Sequence, residues 1–179
     1  MNYSDVLSFW FEDIEPSQWW TKDDVFDQLI KDKFLILHQQ ASRCELFEWR
    51  KTAKGRLAEI IVLDQFSRNI FRDSSQAFLS DPMALTLAQE AISLGKDTEL
   101  TQVEKSFMYM PLMHSESLKI HNVAVELYRM SGAESSLAFE IKHRNIIEKF
   151  GRYPHRNNIL NRASTEEEIA FLKQPDSSF

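Results

Sequence analysis

Four glycines and five prolines in 179 residues leave this chain few places to turn sharply. A sandwich or barrel of many short strands needs turn residues throughout, so this supply points to helices joined by short links. The borders of those helices are written in capping residues. Ser4-Asp5 can open a first helix carrying Val6, Leu7, Phe9, Trp10 and Phe11, and Thr21 to Asp24 reads as an N-cap with acids in the first turn, where the helix dipole favours negative charge. Behind it Phe26, Leu29, Ile30, Phe34 and Leu37 recur at helical spacing. A third, long helix is expected from about Thr52 to Phe71, and a fourth with Asp81 as cap, Pro82 at its first position and Gly95 at its end.

Thr101 to Glu104 is a capping box that begins a fifth helix, which Pro111 should bend or end. A sixth runs from about Ser117 to Met130, and a seventh from about Ser135 to Gly151. Ser164 to Glu167 is a second capping box, ahead of a last short helix. No stretch alternates at period two for more than a few residues, so no sheet is expected. The expectation is an all-α fold of about eight helices in antiparallel hairpins, forming a single domain over residues 1–179. There is no strict repeat at about 34 residues.

Charge and cysteine content narrow the chemistry. A net charge of −6 argues against a protein that grips nucleic acid through overall positive charge. The single cysteine, Cys44, excludes an internal disulfide and a multi-cysteine zinc site, and it reads as a packing residue. The first five residues lack a secretory basic region, and the apolar run Leu57 to Leu63 is broken by Glu59, so a cytoplasmic protein without a membrane span is expected. Phosphate-loop, dinucleotide, hydrolase-elbow and HExxH patterns are all missing, as is a second ExxH beside Glu140 to His143; neither metal nor cofactor is expected. Trp10, Trp19 and Trp20 read as core or pocket wall.

Three segments place polar groups where the pattern asks for apolar ones. In the third helix Leu57, Ile60, Ile61, Asp64, Arg68 and Phe71 share a stripe, with Arg72 one turn beyond Arg68. An acid four residues before an arginine pairs with it along a helix; the pair is either structural or leaves Arg68 or Arg72 with donors for a ligand. In Tyr109 to Glu116, His114 and Glu116 follow the proline as an imidazole and a carboxylate; His114 is either structural, bonded to Glu116 or to a backbone carbonyl, or available for proton transfer. From Lys142 to Arg162 six basic residues face one acid, a local balance of +5 against −11 in the remainder. There His143 lies on the stripe Phe139, His143, Ile147, Phe150. Arg144 precedes a turn holding Arg152, His155, Arg156 and Asn157. Arginine forks bind carboxylate or phosphate; a solvated basic surface is the plain alternative.

At these segments the sequence resembles a bacterial family known as domain of unknown function 924. The resemblance runs from Val6-Leu7-Ser8-Phe9-Trp10-Phe11 through Leu63 to Arg72, Tyr109 to Glu116, His143 to Ile147 and Phe150 to Asn157, into Pro175-Asp176-Ser177-Ser178-Phe179. Ser67 stands where the family often has proline, and Tyr153 where it often has phenylalanine. The resemblance implies a right-handed, tetratricopeptide-like arrangement of helical hairpins, and no particular reaction.

The expected function is a concave pocket that binds an anionic small molecule or an acidic peptide end. Asp64, Arg68, Arg72, Arg144, Arg152, Arg156 and Asn157 are the binding candidates, and His114, Glu116, His143 and His155 the titrating ones. Two rivals stand beside it: a scaffold that docks a protein partner, and a metal-free hydrolase with a histidine base and arginines that steady developing negative charge. All three require that residues far apart in sequence meet.

Overall fold

The computed structural model describes residues 1–175 and 177, so Asp176, Ser178 and Phe179 of the closing segment lie outside the described residues. Helix α1 (Tyr3–Ser8) runs on through a π-helical segment, Phe9–Asp13, and α2 spans Asp24–Ser42. Helix α3 (Ala53–Ile61) continues through a second π segment, Val62–Phe66, into α4 (Ser67–Ile70), so the three form one rod. Then come α5 (Asp81–Ser93), α6 (Gln102–Met113), α7 (Leu118–Ser131), α8 (Glu134–Phe150) and α9 (Glu166–Phe171). No strand occurs among the described residues, and none of their helices is long and apolar enough to cross a membrane.

The α3–α4 rod is central. Helix α2 packs along its π segment and α4, α5 and α6 lie against α3, and α7 pairs with both α6 and α8. The short links α6–α7 and α7–α8 make each pair an antiparallel hairpin. Leu57, Ile60, Ile61, Val62, Leu63 and Phe66 of the rod are sealed from solvent, and Phe66 meets Phe9, Trp10 and Phe34 ring to ring. Each such side chain contributes about 1.5–3 kcal/mol by leaving water.

Gly95, Gly132 and Gly151 follow helix ends in the left-handed conformation, as their spacing predicts. Several caps sit one or two residues from their expected places. Asn2, with Asp5, caps α1 in place of Ser4; Asp23 caps α2; Thr165 with Glu168, not Ser164 with Glu167, forms the last box. Ser80 is the cap residue of α5, and Asp81 is its first helical residue. Asp81 is drawn instead into ion pairs described below.

Pro111 does not end α6. The helix continues to Met113, with the His114 amide donating to the Met110 carbonyl at 3.0 Å. The proline removes only the bond to the Phe107 carbonyl, and the buried run Phe107 to Met113 holds the remaining turn against the core. Cys44 is exposed, in a left-handed conformation just past α2, rather than packed. Trp10 is core and Trp19 half-buried, but Trp20 is 67% exposed. On α8, His143 and Ile147 turn inward while Phe139 is 54% exposed.

Candidate functional site

The π segment widens the rod at Asp64. Side chains stitch the loosened backbone: the Ser67 hydroxyl donates to the Leu63 carbonyl at 2.6 Å, and Arg68 Nη1 donates to the Asp64 carbonyl at 2.7 Å. Segments of this kind recur at functional positions in helices. The Asp64 carboxylate is 1% exposed and fully engaged. It accepts from the Gln65 amide at 2.5 Å and from His114 Nδ1 at 2.7 Å, with Arg68 Nη1 at 3.3 Å. Burial alone would raise its pKa, but Arg68, His114 and the Gln65 amide outweigh that and hold it well below the usual carboxylate value.

Arg68 then reaches out of the rod to the start of α5, where Nη1 and Nη2 meet the two Asp81 oxygens at 3.0 and 3.1 Å. Asp81 also faces Arg156, at 3.4 Å from Nη1. His114, Asp64, Arg68, Asp81 and Arg156 therefore form one chain of contacts across four segments of the fold. Its His114, Asp81 and Arg156 border a pocket of about 550 Å³, between the 3₁₀ turn Ser75–Phe78, the start of α5, the end of α6 and the turn Pro154–Arg156, while Asp64 and Arg68 stand behind the wall. His114, Glu116, Asp81 and Arg156 line it, against an apolar wall that includes Phe78, Leu85, Pro111 and Leu160.

Two of these groups have capacity to spare. His114 donates through Nδ1 to Asp64, and its Nε2 has no hydrogen-bond partner among the described residues. Burial, followed by the neighbouring Arg68 charge, lowers its pKa despite Asp64, so at neutral pH the imidazole is uncharged and Nε2 carries a lone pair. Arg156 is 6% exposed, yet its guanidinium makes one hydrogen bond among the described residues, the 3.4 Å contact to Asp81, and its buried Nε has none. The rings of Phe78 and Tyr153 each lie 4.6 Å from the guanidinium carbon and hold it in place. Burial and Arg68 lower its pKa.

The other sequence candidates are bound up in structure. Glu116 lines the pocket but is held by Arg162 at 2.6 and 2.9 Å and by the Tyr153 amide at 2.8 Å. Asn157 spans Arg162 and Ser164 and is 1% exposed. Three expected binding arginines are placed elsewhere: Arg72 forks onto Asp27 of α2, Arg152 onto Glu168 of α9, and Arg144 joins Glu148 and Asn122. None of them lines the pocket. His143 donates to the Phe139 carbonyl, and burial brings its pKa down to about 3; burial and Arg156 bring that of His155 to about 4. Neither histidine lines the pocket.

Sequence reasoning passed over Asp81, read as a cap, and Phe78 and Tyr153, which clasp Arg156. It also passed over a buried group behind the site. His121 Nδ1 is hydrogen-bonded to Glu140 at 2.7 Å and its Nε2 donates to the Ser115 carbonyl at 2.8 Å, beside the Tyr153 hydroxyl, which donates to the Met113 carbonyl at 2.5 Å. These bonds fix the link that carries Ser115 and Glu116. Among the described residues no group of three or more His, Cys, Asp or Glu is placed to hold a metal ion.

The sequence profile described as "Bacterial protein of unknown function (DUF924)" matches residues 6–176. A solved structure of a protein of unknown function, ATU0120 from Agrobacterium tumefaciens, is 37% identical, with a TM-score of 0.91 over 96% of each chain. No curated protein matches the chain.

Proposed function

From a chain that belongs to the bacterial DUF924 family, whose description assigns no reaction, we propose a protein that binds a small carboxylate with an apolar body in the pocket beside Arg156. One observation carries this reading. A buried guanidinium is normally saturated, because an ion removed from water loses several kcal/mol unless it is paired and hydrogen-bonded. Arg156 is buried with a single long bond, so its remaining donors suit an anion supplied from the pocket. A carboxylate accepts two parallel bonds from such a fork. Asp81 and Glu116 on the same walls repel each further negative charge, which favours a single carboxylate over phosphate or an acidic peptide, and Phe78, Leu85 and Leu160 suit an apolar remainder.

Calorimetric titration with butyrate, succinate and inorganic phosphate tests this. Butyrate is expected to bind wild type most tightly, and Arg156→Met to weaken it at least about tenfold, the loss of one charge-assisted fork. A wild type that does not bind butyrate ends the reading.

A second reading, a tetratricopeptide-like scaffold for a protein partner, draws on Val25, Leu29 and Ile36, exposed on the outer side of α2 by 80%, 49% and 68%. Arg156→Met would leave such docking intact, whereas Ile36→Asp would remove it.

A further inference from the structure

Arg156 is only half of what the pocket offers. On the same wall system stands an imidazole whose inner nitrogen is fixed by a dry carboxylate and whose outer nitrogen has no partner among the described residues. A histidine that serves structure alone uses both nitrogens, as His121 does with Glu140 and the Ser115 carbonyl. His114 uses one. Asp64 fixes the tautomer with the proton on Nδ1, which leaves Nε2 as the acceptor, and Arg68 and Gln65 keep Asp64 in place.

We propose that the pocket hydrolyses esters of short apolar carboxylic acids, with His114 as general base and Arg156 as the group that receives the carbonyl oxygen. The proposal rests on the carboxylate reading above, and makes the bound carboxylate the product of a reaction. The acyl chain lies along Phe78, Leu85 and Leu160, and the carbonyl oxygen points to Arg156. Water bonds to the carbonyl carbon as His114 Nε2 takes one of its protons. The carbonyl π pair moves onto oxygen, where Arg156 meets the new negative charge. When that pair returns, the bond to the alcohol oxygen breaks, and the alcohol leaves with the proton that Nε2 returns. The products are one acid and one alcohol; the acid ionises, and its carboxylate stays on Arg156 until it diffuses out. Nothing beyond ester and water is consumed.

Asp64 is a positioning residue: it touches neither water nor ester, and acts by holding the imidazole in the productive tautomer. The mechanism also explains why Arg156 is left under-bonded. A guanidinium saturated by protein carboxylates, like Arg152 on Glu168, has no donors for an oxyanion.

The test follows 4-nitrophenyl butyrate hydrolysis by the full chain, with butyrate binding measured in parallel by calorimetry. Wild type is expected to turn over with butyrate as a competitive inhibitor. His114→Gln is expected to lose at least about 100-fold in kcat, the usual contribution of a general base, while still binding butyrate. Asp64→Asn should lower kcat with KM nearly unchanged, where a merely structural role would also abolish butyrate binding. Butyrate binding without wild-type turnover overturns the esterase and leaves the binding reading standing. Turnover equal in wild type and His114→Gln overturns it as well. A wild type that binds no butyrate overturns both readings.

Discussion

Arg152 and Arg156 are four residues apart, in the same basic segment, and live in opposite circumstances. Arg152 lays its fork on Glu168 at 2.6 and 2.8 Å and adds the Ala163 carbonyl at 2.9 Å. Arg156 is deeper, flanked by two rings, and has one contact at 3.4 Å. Arg72 on Asp27 and Arg162 on Glu116 repeat the first pattern. The difference teaches that a basic cluster is not a binding surface in itself. Most of its charge joins helices together, and function is assigned to the member whose donors the protein does not satisfy.

The largest test of this contrast removes the anchor shared by the pocket. Asp64→Ala leaves Arg68 without its buried partner, and a loss of about 3–5 kcal/mol in unfolding free energy is expected by denaturant titration. A loss under about 1 kcal/mol would show that the network does not hold the rod.

Acid is the next probe. His143 and His155 are neutral when folded, with pKa values near 3 and 4, but protonate near 6.5 when unfolded. The unfolded chain then binds more protons, so their contribution is complete above pH 6.5 and is lost as pH falls, down to about 4 for His155 and about 3 for His143. By pH 5 each is expected to remove about 2 kcal/mol, seen as a falling thermal midpoint between pH 6.5 and 5. A flat profile there would mean that these imidazoles are hydrated.

Smaller is the cost of breaking a satisfied pair. Arg72→Ala should remove about 1–2 kcal/mol of stability by denaturant titration and leave butyrate affinity unchanged. Smallest, and most telling, is Arg156→Met. Replacing a poorly bonded buried cation with an apolar chain of similar length should change stability by less than about 1 kcal/mol, or increase it, as butyrate binding disappears. Should Arg156→Met destabilise the protein more than Arg72→Ala, Arg156 is a structural residue and the contrast fails.

Much of the fold was legible because helix borders are local. The box of Thr101 and Glu104 and the left-handed glycines act within one turn of chain, and so appear as spacing. Cap positions slipped at Ser4, Asp81 and Ser164 because neighbouring polar residues compete for the same few amides. Pro111 misled for a related reason: its local cost is one hydrogen bond, whereas the burial of Phe107 to Met113 is a long-range gain that no local pattern displays.

For the site, the sequence alone marked Asp64, Arg68, His114, Glu116 and Arg156 as polar groups out of pattern, and all five gather at one pocket or directly behind it. Arg72, Arg144 and Arg152 carried the same signal and went elsewhere. Tertiary structure decided between them, since whether a charged side chain is saturated depends on carboxylates brought from distant segments, such as Asp27, Asp81 and Glu168. Residue type fixes how many hydrogen bonds a group can make; only the folded arrangement fixes how many are left over.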